Sequence, residues 1–193
     1  MNKRLIKPLL FVITIFVTSC SQKNYLQKIE EYSNASTVNE KEKFMADNYH
    51  SFFVEAKGTG ADKNASLQSF QNWDAPLHPQ VDILSYTINK KTWTIKFNEQ
   101  NDFSKLIGFP GWKATEVITF NSKKLIEQLV YIPDYANPSY KKWLQPAVAW
   151  VQNNMPDSLN TVYQNNKLVK NEESAKKWVR LLKQWKQSRG RQE

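Results

Sequence analysis

Glu116, Tyr131 and His50 are the residues whose type and setting could move a proton. Glu116 lies in the run TEVITFN (115–121), where two-residue alternation puts it on one strand face with Ile118 and Phe120. On such a face it could act as a general base, with the Tyr131 phenol or the His50 imidazole as donor. The simpler reading leaves Glu116 exposed at the end of its strand. Asp47 and Tyr49 lie beside His50, Asp74 and His78 flank Pro76, and Asp82 begins a strand. None of these makes a convincing acid–base pair by spacing. His50 and His78 are the only histidines and are far apart, so no zinc site is expected. No serine sits in a nucleophile elbow. Only five glycines are present, which argues against a glycine-rich phosphate loop or dinucleotide fingerprint, and no cofactor is expected.

The remaining reactive side chain is the single thiol, Cys20. Before it stand Lys3, Arg4 and Lys7, then an apolar run from Leu9 to Val17 interrupted by Thr14, then Thr18 and Ser19. Positive start, short apolar core and small-residue exit make a secretory signal. The run is about half of the ~20 residues a membrane-spanning helix needs. Val17-Thr18-Ser19-Cys20 resembles the bacterial lipoprotein signal. That resemblance implies diacylglycerol on the Cys20 thiol, palmitate among the acyl chains, and cleavage after residue 19. With no second cysteine, no disulfide forms within one chain. Ser21 stands where an Asp commonly retains lipoproteins in the inner membrane, so the outer membrane of the cell envelope is favoured.

The proton-handling residues need elements to position them. Leu26, Ile29 and Tyr32 share one helical face, and Asn39 reads as the cap of a second helix through about Asp47. SFFVEA (51–56) reads as a short strand, and Asp62 or Asn64 could cap a helix carrying Leu67, Phe70 and Trp73. VDILSYTI and TWTIKFNE, joined at Asn89-Lys90-Lys91, form one hairpin; Trp93, Ile95 and Phe97 give the latter its half-buried alternation. QNDFSKLIGFPGWK is a long connection, and TEVITFN and LIEQLVYI form a second pair turning near Ser122-Lys123-Lys124. Beyond Pro133 the chain reads as helical, with Pro138 and Pro156 as first helical residues and Pro146 as a divider. The last helix starts near Asn171 and carries Ala175, Trp178, Leu182 and Trp185 at helical spacing.

Helices, a short strand, a helix and then two hairpins make an α+β layout, a curved antiparallel sheet packed on N-terminal helices. FMADNYHSFFVEAKGTGADKNASLQSFQNW resembles the front half of the nuclear transport factor 2-like superfamily, which includes SnoaL-like polyketide cyclases and ketosteroid isomerases. FPGWKATEVITFNSKKLIEQLVYI resembles its back half. The resemblance spans roughly 24–134 and implies a cone-shaped cavity for a small, mostly apolar ligand. The isomerase members carry an Asp near the end of the first strand, and the position here aligns with Ala56, which weakens the isomerase expectation. The same fold often dimerises through its sheet, so a homodimer is one expected assembly. The expected organisation is a signal peptide (1–19), an acylated N-terminus and tether or first helix (20–38), the cone domain (39–134, extending back toward 24) and a helical extension (135–193).

Trp73, Trp93, Trp112 and Phe120 could line such a cavity and bind ligand; plain packing is the commoner role of such aromatics. The formal charge of +9 is uneven: residues 20–166 are neutral, and the mature excess lies in 167–193, which holds nine Lys/Arg against three Asp/Glu. An exported, tethered chain has little access to nucleic acid, and none is expected as partner. The basic helix either packs with a solvated lysine face or meets anionic lipid. The leading expectation is a lipid-anchored envelope protein binding a small apolar or amphipathic ligand or a protein partner without catalysis. The alternative is a SnoaL-like isomerase, cyclase or dehydratase on a small hydrophobic substrate.

Overall fold

The computed structural model describes residues 24–54 and 60–190. Cys20, its leader and Ala56 lie outside the described residues. The chain opens with helix α1 (24–33), whose Ile29 and Tyr32 are buried against the sheet. Helix α2 (Val38–Glu42) is capped by Thr37, with Glu40 reaching back to complete a capping box. The cap therefore falls two residues before the expected Asn39, and the helix stops well short of Asp47. Strand β1 (Met45–Phe53) comes next, longer and earlier than the expected 51–56, because Met45, Ala46 and Tyr49 find buried places beneath the helices.

Strand β2 (Ala61–Asp62) pairs with β1, and the Asp62 carboxylate caps α3 (Lys63–Ser69) by accepting from the Ala65 amide at 2.8 Å. Helix α3 widens into one π turn, Phe70–Asp74, and a 3₁₀ turn, Ala75–Leu77. The expected hairpins come after it: β3 (Gln80–Asn89) with β4 (Thr92–Gln100), then β5 (Trp112–Phe120) with β6 (Ile126–Pro133). Lys90 and Lys124 take positive φ at their turns. The connection between the hairpins is more ordered than expected. It contains helix α4 (Asp102–Ile107), closed at its start by an Asn101–Ser104 capping box and at its end by left-handed Gly108.

The sheet order is β2-β1-β6-β5-β4-β3. Strand β1 runs parallel to β6, so the curved sheet is mixed and not wholly antiparallel. Side chains on its concave face repeat every second residue, from Trp93 to Glu99 on β4 and from Trp112 to Phe120 on β5.

The extension comprises α5 (Tyr140–Asn154), α6 (Pro156–Val162), a small hairpin of β7 (Tyr163–Gln164) and β8 (Lys167–Leu168), and α7 (Glu172–Arg189). Pro146 does not divide α5. Its ring is exposed, and so is Lys142, whose carbonyl loses its partner to the missing amide; the buried stripe Leu144, Ala147 and Val151 keeps the helix whole. Helix α7 starts at the expected Asn171 cap and buries Ala175, Trp178, Leu182 and Trp185. Trp178 is fully enclosed, donates its indole N–H to the Val162 carbonyl at 3.0 Å, and meets Phe103 of α4 edge-on at 5.9 Å.

Two separate buried clusters result. One joins α1 and β1 to the middle of the sheet through Ile29, Met45, Trp93, Ile118 and Phe120. The other joins α4–α7 and the 3₁₀ turn through Leu77, Phe103, Leu144, Trp178 and Leu182.

Candidate functional site

Between the concave sheet face and the helices lies a cavity of about 690 Å³. Its floor is set by cross-strand pairing. Glu116, at the middle of β5, pairs with Ile95 on β4 and with Tyr131 on β6; Tyr131 pairs in turn with Phe53 on β1. Glu99 pairs with Trp112. Strand period two therefore places Phe97 and Glu99 on β4, and Trp112 and Glu116 on β5, along one inward face, all lining the cavity. The Phe97 and Tyr131 rings meet edge-on at 6.2 Å beside Glu116.

The roof comes from the helices. The π turn brings Trp73 and Asp74 into the cavity wall together, because widening the helix by one residue per turn shifts the positions it presents. Helix α2 sends Lys41 inward; its ammonium donates at 3.1 Å to the Tyr32 carbonyl in the last turn of α1, which also accepts from the Ala35 amide at 3.5 Å. The same ammonium lies over the rings of Tyr32 (3.9 Å) and Phe70 (4.7 Å). The Tyr32 and Tyr49 hydroxyls are 3.3 Å apart, and those of Ser51 and Ser66 are 3.0 Å apart. Lys170, in the link before α7, closes the wall with its ammonium 5.7 Å from the Trp73 ring centre. The extension is thus part of the cavity.

Three carboxyls, Asp74, Glu99 and Glu116, face this space. Among the described residues none of them accepts a hydrogen bond from a side chain or lies within 4 Å of a cation. Removal from water pushes Glu116 up to about 7, with Lys41 acting in the opposite sense. Burial, with repulsion from Asp74 and Glu116, likewise pushes Glu99 up to about 7. Asp74 is raised by burial against the pull of Lys41 and Lys170. Burial lowers Lys41, which the three carboxylates partly offset. Tyr131, Tyr32 and Tyr49 are raised chiefly by burial, so their phenols stay protonated and can donate. Such a set of groups can hold a polar or charged ligand atom and can exchange protons with it near neutral pH. Among the described residues no group of three or more His, Cys, Asp or Glu side chains is placed to hold a metal ion.

No protein-family model matches the chain, and no curated protein is similar to it in sequence. Solved structures of similar shape do exist. An epoxide hydrolase/cyclase-like enzyme, SalBIII of salinomycin pyran-ring formation, matches with a TM-score of 0.49 and 11% identity over 60% of this chain and 95% of its own. The Δ5-3-ketosteroid isomerase of Mycobacterium sp. matches with a TM-score of 0.46 and 16% identity over 59% and 93%. A nuclear transport factor 2-like protein of unknown function from Cytophaga hutchinsonii matches with a TM-score of 0.44 and 7% identity over 57% and 89%. At these identities the likeness concerns shape and says nothing of activity.

Of the residues singled out from sequence, Glu116, Tyr131, Tyr49, Asp74, Trp73 and Trp112 come together in the cavity wall. Glu116 sits at mid-strand and not at an exposed strand end. His50 does not join them: it is exposed, with Nδ1 2.8 Å from the Asn48 carbonyl. Trp93 and Phe120 lie on the same sheet face but under α1, where Tyr25 covers both rings. His78 is also outside, paired with Asp102 at 2.8 Å on the surface. Lys41, Glu99, Lys170 and Tyr32 were missed. Glu99 left a signal, since it continues the Trp93, Ile95, Phe97 alternation by one more step, and Tyr32 was read only as part of the helical face with Leu26 and Ile29.

Proposed function

We propose that the protein takes up a small, partly apolar molecule in the cone and fixes its polar group with Glu116 and Tyr131. The observation that supports this is a cavity of ligand size whose floor carries unpartnered carboxyls between aromatic walls. Leaving such groups unpaired costs stability unless something they meet in use offsets it. The test is native mass spectrometry of the protein isolated from its own cells. A stoichiometric added mass that is lost in Glu116→Gln supports the reading; empty protein, together with no uptake from a lipid extract, refutes it.

A second reading, proton transfer on the bound molecule, is favoured by the placement of Glu99 and Glu116 near pH 7 beside a phenol that remains protonated. Glu116 would take the proton and the Tyr131 hydroxyl would donate to the oxyanion that develops. Turnover of the molecule found by mass spectrometry, rising with pH through about 7 and lost in Glu116→Gln, would separate this from binding alone.

The leader reading also stands as a proposal: acylation of Cys20 holds the domain on a membrane, two or more acyl chains giving far firmer attachment than one. Among the described residues no helix is long and apolar enough to cross a membrane. Palmitate labelling that persists in Cys20→Ser would refute the anchor.

A further inference from the structure

We propose that the molecule bound in the cone carries a protonated amine beside its apolar body, held by the carboxylates of Glu116 and Glu99 against the Phe97 and Tyr131 rings. This rests on the reading of the cone as a small-molecule site and adds the chemical class of the ligand. The first support is charge. Three carboxyls line the cavity against two ammoniums, Lys41 and Lys170, so full ionisation leaves one negative charge unmatched. Neither lysine is placed to cancel Glu116 or Glu99 by contact. Lys41 is committed to the Tyr32 carbonyl, and Lys170 stands over Trp73.

The second support is what the cavity already does with its own cations. Lys41 lies over two rings, Lys170 lies over a third, and both act electrostatically on the cavity carboxylates. Each ammonium thus has an aromatic face and an acid in its field, the pairing by which proteins recognise ammonium ligands. Glu116 and Glu99 have Phe97, Tyr131 and Trp112 beside them and feel Lys41 only through space, with no cation of the described chain in contact with either carboxyl. An anionic head group would meet these carboxyls unfavourably, and a neutral one would leave the extra charge uncompensated.

The charged and titratable groups facing Glu116 and Glu99 are Tyr32 from α1, Lys41 from α2, Tyr49 from β1, Asp74 from the π turn, Tyr131 from β6 and Lys170 from the link before α7. The three phenols, raised by burial, keep their protons between pH 6 and 8, and burial lowers Lys41, whose loss of a proton would make the cavity more negative, the same sense as carboxyl ionisation. An alkylamine also stays protonated there. The groups that change charge over this range are the carboxyls, so amine affinity must rise with pH.

The experiment compares decylamine, 1-decanol and decanoate, one chain with three head groups, below micelle-forming concentrations. Their binding to the full-length protein is measured by equilibrium dialysis at pH 6 and pH 8. A charge-assisted hydrogen bond supports about a tenfold preference for the amine over the alcohol at pH 8. The preference should shrink at pH 6 and vanish in the Glu99→Gln/Glu116→Gln double variant, while decanol still binds. Glu116→Gln alone should remove part of it, which keeps the test usable if the double variant does not fold. Decanoate binding as tightly as decylamine, or an amine preference that survives in the double variant, overturns the inference. Decanol binding without an amine preference overturns it and leaves the small-molecule reading standing; no binding of any probe overturns both.

Discussion

Replacing Glu116 by Gln should stabilise the protein at pH 8 and leave it nearly unchanged at pH 5. The side chains are alike in size, and the amide resembles the protonated acid, so the variant removes a charge and little else. Burial raises the Glu116 carboxyl from 4.5 to about 7 in the folded protein. The unfolded chain ionises first, so the folded state binds more protons between those two values. The contribution of Glu116 to stability is therefore fully present below about 4.5 and is lost as the pH rises through about 7. The full difference corresponds to about 3 kcal/mol. That shift already includes the opposing pull of Lys41, so a gain of about 3 kcal/mol at pH 8 is expected. Urea unfolding of parent and variant at both pH values measures this directly. An equal gain at pH 5 and pH 8, or a loss at pH 8, would refute the picture of an unpartnered carboxylate in the floor.

Lys41→Met should push the Glu116 carboxyl above about 7, because Lys41 alone opposes burial there, and carbon-detected NMR titration reads the shift; an unmoved value would mean that Lys41 is uncharged at neutral pH. Trp178→Ala should cost about 3–5 kcal/mol in thermal or urea unfolding, since a fully enclosed indole and its hydrogen bond to Val162 are both removed. Gly111→Ala should cost about 2 kcal/mol or more, because φ is +109° and the new Cβ would stand 2.6 Å from the Glu99 carbonyl oxygen. The same variant should shift Trp112 fluorescence, since that strain falls between the two residues that pair in the cavity floor.

The hairpins were legible because alternation is a local pattern: Trp93, Ile95 and Phe97 declare a strand without reference to anything else. Strand β1 was not, because its inward residues are Met45, Tyr49 and Ser51, and only the parallel partner β6, far along the chain, shows why they turn in. Helix α4 hid in a connection with two glycines and a proline, although Asn101 and Ser104 carry its capping signal. In the site, Glu116 was legible as a carboxylate on an apolar strand face. Lys41 was not: in NEKEK it is one charge among several, and only the folded position of α1 and the π turn distinguishes it from Lys43, which stays outside. Lys170 was equally silent, since a lysine before a helix cap is ordinarily solvated, and here it closes a wall shared with Trp73.

The two buried clusters have a mechanical meaning. Each is complete in itself, and the cone lies along the seam where they fail to meet: Trp73 and Trp112 come from one side, Tyr32, Tyr49 and Leu129 from the other. A guest in that space would touch both halves at once and act as mortar between two blocks that otherwise share few side chains. Occupancy would then be felt far from the floor, in the slower hydrogen exchange of α7 as much as in that of β5.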